Sequence, residues 1–230
     1  MFEPDYRVVT FDYVGSGRSD RSAYDPVRYG TLEGYASDLC DVLAALQLEQ
    51  CVFVGASISG MIGMLAAGRE PARVAALVMV GTSPRYIDAP DYRGGFSASD
   101  IAGSLELMHD NFIGWASDMA TTAIKEPDIA RELEQGICAL WPHHARQFVE
   151  VAFNIDLRAS LPRCTQPVLV VQSTHDDIVS DEAAVYLAQH LPRGTLRYLS
   201  GAGHCPQLTR PNELGRLIGD YLASMPEHVK

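Results

Sequence analysis

The sequence predicts an α/β fold in which a mostly parallel sheet is covered by helices on both faces. Continuous apolar runs at residues 51–55, 75–80 and 167–172 have the length and composition of strands that are buried on both sides. Segments with helical periodicity separate these runs, and strands that alternate with helices form parallel sheets. The stretch 83–163 breaks this alternation because it carries helical patterns and no convincing strand. We therefore expect a helical insertion between two strands of the sheet.

The other elements follow in chain order. A β-rich run at residues 7–13 comes first and ends in Gly15-Ser16-Gly17, and a weaker strand is predicted at 195–199. The first helix begins after Thr31, a residue suited to the N-cap, and its apolar residues recur at steps of three and four. The predicted helices outside the insertion are residues 31–48, 57–68, 181–191 and 212–223. Those of the insertion are residues 101–108, 112–124, 129–140 and 145–153.

Length and composition indicate a globular domain and exclude several classes of partner. The 230 residues are 47% hydrophobic and 20% charged, which suits one large domain with an insertion. The net charge of −11 repels phosphate backbones and anionic lipids, so we expect no nucleic-acid and no membrane partner. The cysteines include no CxxC pair, the first residues do not resemble a signal peptide, and no apolar stretch reaches about 18 residues. We therefore expect a cytoplasmic protein with reduced thiols.

The strongest chemical signal lies at residues 52–60, VFVGASISG. An apolar strand runs into Gly-x-Ser-x-small, and a helix rich in small residues follows. This pattern is typical of a nucleophile elbow, a sharp turn that projects a serine hydroxyl above the sheet. Ser57 is the candidate nucleophile, and Gly55 and Ser59 are the small residues on either side, Ser59 standing where glycine is usual. The backbone N–H of Ile58, at the helix N-terminus, is suited to stabilise an oxyanion.

A serine nucleophile needs a base, and the base needs an orienting acid. The strand at 167–172 is followed by Asp176 and Asp177, and the strand at 195–199 is followed by His204. Because the carboxyl ends of parallel strands meet at one edge of the sheet, we expect these side chains near Ser57. The chain order Ser, Asp, His is that of α/β hydrolases. Spacing alone leaves both aspartates open as the acid.

Residues 12–17, DYVGSG, invite comparison with a dinucleotide-binding loop. The third glycine of G-x-G-x-x-G would fall at position 20, which is Asp20, and no Walker A lysine is present. A tight turn after a strand is the better interpretation. No group of His, Cys, Asp or Glu has the spacing of metal ligands. We therefore expect neither a cofactor nor a metal.

Six segments together resemble one branch of the α/β-hydrolase superfamily. They are FDYVGSGRSD at 11–20, FVGASISGMIGML at 53–65, NFIGWA at 111–116, FNIDLR at 153–158, and residues 172–177 and 203–206. The branch contains the RsbQ-like hydrolases of the bacterial sigma-B stress pathway and the related plant strigolactone and karrikin receptors. The resemblance implies Ser57 as nucleophile, Asp176 as acid and His204 as base. It also implies an α/β-hydrolase core of residues 1–84 and 161–230, with a V-shaped cap of four helices at 85–160.

In such caps an apolar pocket lies over the serine. Trp115 and Phe153 fall at positions that would either face this pocket or pack inside the cap. Ala56 stands where the branch commonly has histidine, which implies altered packing and not lost chemistry. The branch also begins with further strands and a helix, including the loop that donates a second oxyanion N–H and a strand between 7–13 and 51–55. The resemblance therefore implies that N-terminal strands are missing, as in a fragment or a late-start gene model.

Two functions fit these residues, and an inactive fragment is a third interpretation that the missing N-terminal strands leave open. The first is a cytoplasmic serine hydrolase that cleaves a small, mostly apolar ester or lactone through a Ser57–His204–Asp176 triad and an acyl-enzyme. The second is a ligand-sensing signalling protein of the RsbQ type, a positive regulator of a stress-response phosphatase with slow or incidental hydrolysis. Both require the triad, so the sequence does not separate them. A neighbouring gene for a sensor-domain PP2C-type phosphatase would favour signalling.

Overall fold

A parallel sheet of four strands forms the centre of the described part of the chain. The computed structural model describes residues 2–201 and 203–225. The strands, in the order β1-β2-β3-β4 across the sheet, are β1 Cys51–Ala56, β2 Val74–Val80, β3 Val168–Ser173 and β4 Gly194–Leu199. All three neighbouring pairs are parallel. The strands predicted at 51–55, 75–80, 167–172 and 195–199 are thereby confirmed.

Helices connect and cover these strands. Around the sheet lie α1 Leu32–Ala45, α2 Ile58–Arg69, α7 Asp181–His190, α8 Pro206–Thr209 and α9 Pro211–Ala223. Between β2 and β3 come α3 Ala98–Asp110, α4 Phe112–Ala123, α5 Pro127–Cys138 and α6 Pro142–Phe153. Short 3-10 turns occupy Arg21–Ala23, Arg28–Gly30 and Arg158–Arg163. Within residues 2–201 and 203–225, no helix has both the length and the apolarity that crossing a membrane requires.

The side chains of β2 enter two hydrophobic clusters on opposite faces of the sheet. Leu77 and Met79 belong to a cluster with residues of α1, α2 and α7. Val78 belongs to a second cluster with Ile218 and Leu222 of α9. Successive residues of a strand point to opposite faces, so a strand that is covered on both faces is apolar throughout. This explains why the runs that predict β2 and β3 contain no alternation.

Helices α3–α6 form a cap, and we use that name for them below. Met108, Trp115, Ala116 and Ala145 make a small hydrophobic cluster of the cap's own. The two ends of the insertion meet beside each other, because the Leu157 N–H donates to the Pro84 carbonyl at 2.9 Å. Arg85 and Asp156 add an ion pair of 2.6 Å at the same place. The predicted helical insertion is therefore present, while the exact boundaries at 85 and 160 stay a prediction.

Residues 7–13 do not form the strand that their composition predicts. They make no ladder with any described strand, and Val8 and Val9 are exposed. A strand needs neighbouring backbone to satisfy its N–H and C=O groups, and β propensity alone does not supply one. In the described sheet β1 pairs on one side only, with β2, and Val54 of β1 is exposed.

Candidate active site

Ser57 lies in a strained turn between β1 and α2. Its φ is 52° and its ψ is −130°, a combination that costs free energy and persists only where the surroundings enforce it. Two hydrogen bonds with the last residue of β2 and the loop after it hold this conformation. The Ser57 N–H donates to the Val80 carbonyl at 2.7 Å, and Thr82 Oγ1 donates to the Ser57 carbonyl at 2.9 Å. Gly55 is required, because a Cβ there would lie 2.6 Å from the carbonyl carbon of Ser59.

His204 connects the hydroxyl of Ser57 to the carboxylate of Asp176. Its Nε2 lies 2.9 Å from Ser57 Oγ. Its Nδ1 lies 3.1 and 3.0 Å from the two carboxylate oxygens of Asp176. The side chains of His204 and Asp176 are only 9% and 1% exposed. Three loops that follow three different strands therefore bring a hydroxyl, an imidazole and a buried carboxylate into one chain of hydrogen bonds.

The two neighbouring aspartates occupy different environments. Asp176 Oδ1 also accepts from the backbone N–H groups of Ile178 and Val179, at 2.8 and 3.0 Å, which fixes the carboxylate against the loop. The side chain of Asp177 is 57% exposed and forms an ion pair of 2.6 Å with Lys125 of the cap. The structure thus brings Asp176, and not Asp177, next to the imidazole.

The N-terminus of α2 faces the same turn. Ile58 is the first residue of α2, and the first N–H groups of a helix have no acceptor within the helix. The partial positive charge of a helix N-terminus favours negative charge nearby. The backbone N–H of Ile58 is therefore available for an oxyanion that forms on a group bonded to Ser57 Oγ.

Gly81 is a site residue that sequence reasoning missed. It follows β2 with φ +54, and a Cβ there would lie 3.3 Å from two ring atoms of His204 and 3.2 Å from the His204 carbonyl. The absence of a side chain at this position leaves room for the imidazole. A glycine directly after a central strand was the available signal, but many strands end in glycine without such a neighbour.

One corner of the cap touches the loops that carry the imidazole and the carboxylate. We call residues 123–126, at the junction of α4 and α5, the cap corner. The His204 N–H donates to the Ala123 carbonyl at 2.9 Å, and Lys125 pairs with Asp177. Glu126 forms an ion pair of 3.1 Å with Arg210, which follows α8. A movement of the cap corner would therefore act on the position of His204.

The two predicted pocket residues have different surroundings. The ring of Phe153 lies 5.2 Å from the ring of Tyr86, whose hydroxyl oxygen is 3.4 Å from Ser57 Oγ. Trp115 instead packs within the cap's own cluster, and its indole N–H donates to Ser104 Oγ at 3.0 Å. The surroundings of Trp115 fit the cap-packing interpretation, and those of Phe153 fit a residue near the candidate nucleophile. Tyr86 itself was missed, since nothing in its sequence context marks it.

The sequence of this chain matches a known protein family. A family model for the alpha/beta hydrolase family matches residues 2–216. The chain belongs to the alpha/beta hydrolase family. The match spans the strands, the cap and the loops of the candidate site, so this hydrolase carries the family's features along nearly its whole length. The predicted α/β-hydrolase fold is thereby confirmed.

Several relatives of this hydrolase are known by name. It is 36% identical to the Karrikin insensitive 2 receptor CA of Petunia hybrida over 212 residues, 90% of this chain and 78% of the relative. It is 33% identical to the Strigolactone esterase D14 of Arabidopsis thaliana over 220 residues, 94% of this chain and 82% of the relative. The solved structure of olei00960, a hydrolase from Oleispira antarctica, matches with a TM-score of 0.94 and 32% identity, covering 97% and 84% of the two chains. The predicted likeness to strigolactone and karrikin receptors is confirmed, and membership of the RsbQ-like branch stays a prediction.

Proposed function

We propose that this chain is a serine esterase or lactonase that acts through an acyl-enzyme on Ser57. The observation that carries the proposal is the chain of hydrogen bonds from Ser57 Oγ through His204 to Asp176. A hydroxyl is a weak nucleophile until a base takes its proton, and a buried carboxylate keeps that base in the right tautomer. The side chains of His204 and Asp176 are nearly inaccessible to water, which strengthens the electrostatic interaction between them.

Each residue then has a defined role. Ser57 Oγ attacks the carbonyl carbon while its proton passes to Nε2 of His204. The Asp176 carboxylate accepts the hydrogen bond of Nδ1–H and stabilises the imidazolium. The Ile58 N–H donates to the carbonyl oxygen as that oxygen becomes negative. His204 gives its proton to the leaving alcohol, and it later takes a proton from the water that cleaves the acyl-enzyme.

The surroundings of Ser57 support a small and mostly apolar substrate. Tyr86 lies beside the nucleophile, Phe153 packs against the ring of Tyr86, and both are buried. An aromatic wall binds the apolar part of an ester through the area that it removes from water. One of the relatives described above is named an esterase, which supports a carboxylic ester or its cyclic form, a lactone, as the substrate.

The signalling function is the second candidate, and one observation favours it. The cap corner holds the loop of His204 by a hydrogen bond and pairs with Asp177. A ligand that displaces the cap would therefore also shift the position of His204, the base. A relative that is named a receptor agrees with such a role. This candidate predicts that a purified sensor-domain PP2C-type phosphatase binds the chain when ligand is present. Many turnovers for each chain, without any binding of the phosphatase, would favour the esterase alone.

Labelling with a fluorophosphonate tests the nucleophile directly. We expect the adduct on Ser57, and we expect Ser57→Ala to lower the hydrolysis of a p-nitrophenyl ester by about 10⁴- to 10⁶-fold. Ser59→Ala is the matched control, because Ser59 lies two residues away in the same turn and should leave the labelling intact. Retention of more than about a tenth of the activity by Ser57→Ala would show that another residue is the nucleophile.

A further inference from the structure

A buried tyrosine hydroxyl lies beside the candidate nucleophile and has no part in the reaction described above. Tyr86 is 2% exposed, and its hydroxyl oxygen lies 3.4 Å from Ser57 Oγ. Among the described residues, the contact with Ser57 Oγ is the only hydrogen bond found for this hydroxyl. The ring packs edge-on against Phe153, with centroids 5.2 Å apart. A hydroxyl in such a place needs a partner, because burial without a hydrogen bond is costly.

The direction of this hydrogen bond follows from the other partner of Ser57. The serine has one proton, and Nε2 of His204 at 2.9 Å is positioned to accept it. Ser57 Oγ can then only accept from Tyr86, so the tyrosine is the donor. Burial raises the pKa of Tyr86 to about 12, so its proton is retained at neutral pH. The tyrosine is thus a neutral donor that points at the reacting oxygen.

We propose that Tyr86 is a catalytic residue whose hydroxyl donates a hydrogen bond to Ser57 Oγ and stabilises that oxygen as it leaves the acyl-enzyme. The proposal rests on the proposed function, since it requires Ser57 to carry the acyl group. In the second half of the reaction, water attacks the acyl carbon and gives a proton to His204. The bond between the acyl carbon and Ser57 Oγ then breaks, its electron pair stays on Oγ, and the proton of His204 Nε2 moves to Oγ. Tyr86 donates its hydrogen bond throughout and transfers no proton.

The same hydrogen bond affects the two halves of the reaction differently. In acylation Ser57 Oγ uses a lone pair to attack, and a donor on that oxygen holds electron density back while easing the loss of its proton. These effects oppose each other. In deacylation Oγ only gains negative charge, and a hydrogen bond to a charged group is stronger than one to a neutral group. We therefore expect the loss of the hydroxyl to slow deacylation much more than acylation.

Tyr86→Phe tests this because it removes the hydroxyl and keeps the ring that packs on Phe153. With p-nitrophenyl acetate in a stopped-flow instrument, the initial burst reports acylation and the steady state reports deacylation. We expect deacylation to slow by about 10- to 100-fold, the usual effect of losing one hydrogen bond to a charged group, and acylation to change by less than about threefold. Acylated Ser57 should then accumulate during turnover and be visible by mass spectrometry.

Tyr92→Phe is the matched control. Tyr92 is also buried, and its hydroxyl donates to the Arg85 carbonyl at 2.8 Å, in the same segment but away from Ser57. We expect this variant to lose stability and to keep both rates. Tyr86→Met, which fills the space without a donor, repeats the test if the phenylalanine variant does not fold.

The outcomes separate this proposal from the proposed function. If Ser57→Ala abolishes turnover and Tyr86→Phe deacylates at the rate of the parent, the role of Tyr86 is overturned and the nucleophile stands. Equal slowing of acylation and deacylation would also overturn it, since the tyrosine would then only position the serine. If Ser57→Ala remains active, the proposed function fails whatever the effect of Tyr86→Phe.

Discussion

The sheet and the cap contribute to the candidate site by different means. Ser57, Asp176 and His204 each lie within a few residues of the carboxyl end of a strand, and the strands are locked in parallel register. Their positions follow from the backbone of the sheet. The cap contacts the site at two places: Phe153 at the end of α6 packs on Tyr86, and the cap corner holds the loop of His204 by a hydrogen bond and pairs with Asp177.

This difference has a consequence for how the site responds to change. A substitution on the sheet side alters groups that are held within hydrogen-bond distance of the reacting atoms, so we expect large effects on rate. A substitution in the cap, or where the two ends of the insertion meet at Arg85 and Asp156, alters packing or a partly exposed ion pair, so we expect effects on stability first.

The two adjacent aspartates provide the sharpest test on the sheet side. Asp176→Asn should lower kcat by about 10⁴-fold, because the amide no longer holds His204 in the productive tautomer. Asp177→Asn removes the exposed ion pair with Lys125 and should change kcat by less than about threefold, since exposed pairs contribute little. Steady-state hydrolysis of a p-nitrophenyl ester measures both variants. The reverse ranking would move the acid to Asp177 and would contradict the hydrogen bonds of Asp176.

Gly81→Ala tests how closely the sheet side is fitted around the imidazole. The new methyl group would approach the ring of His204, and we expect kcat to fall by roughly 10²-fold, the effect of a misplacement of about 1 Å at a reacting group. Gly201→Ala is the matched control, because Gly201 has a similar φ of +59 but no atom within 4 Å of the new Cβ. Both variants carry the same backbone strain, so a loss of activity in both would attribute the effect to strain and not to the imidazole.

The sequence predicted the sheet side of the site better than the cap side, and the reason is physical. An apolar run that ends at Ser57 or shortly before Asp176 fixes the edge of the sheet on which the residue lies. A helix pattern gives an apolar stripe but does not say which neighbour covers it, so Trp115 and Phe153 could not be distinguished. Tyr86 and Gly81 were missed because their roles depend on contacts with loops distant in the chain. The prediction of a strand at 7–13 was wrong, because the composition of a segment does not show whether a neighbouring strand is there to pair with it.

The smallest expected effect is at the place where the two ends of the insertion meet. Asp156 accepts hydrogen bonds from Arg85 and Arg158, which tie the end of the cap to the segment after β2. Asp156→Asn should lower the free energy of unfolding by no more than about 1 kcal/mol, because the carboxylate is partly exposed. That corresponds to a fall in Tm of about 2–4 °C for a domain of this size. We expect kcat to stay within about twofold of the parent, because Asp156 has no contact with the reacting groups among those found for it.

The pH dependence of the Tm difference between the parent and Asp156→Asn tests whether the charge of Asp156 causes it. The hydrogen bonds from Arg158, and next those from Arg85, hold the pKa of Asp156 well below its usual range despite partial burial. A carboxyl with a depressed pKa in the folded state stabilises the fold above its unfolded pKa of about 3.9 and loses that contribution as the pH falls toward the folded value. The gap in Tm between the parent and Asp156→Asn should therefore be full at pH 7 and should shrink below about pH 4. Asp128→Asn, which removes a wholly exposed carboxylate from α5 of the cap, should show no gap at either pH. A gap for Asp156→Asn that stays constant with pH would attribute the effect to packing and not to the charge.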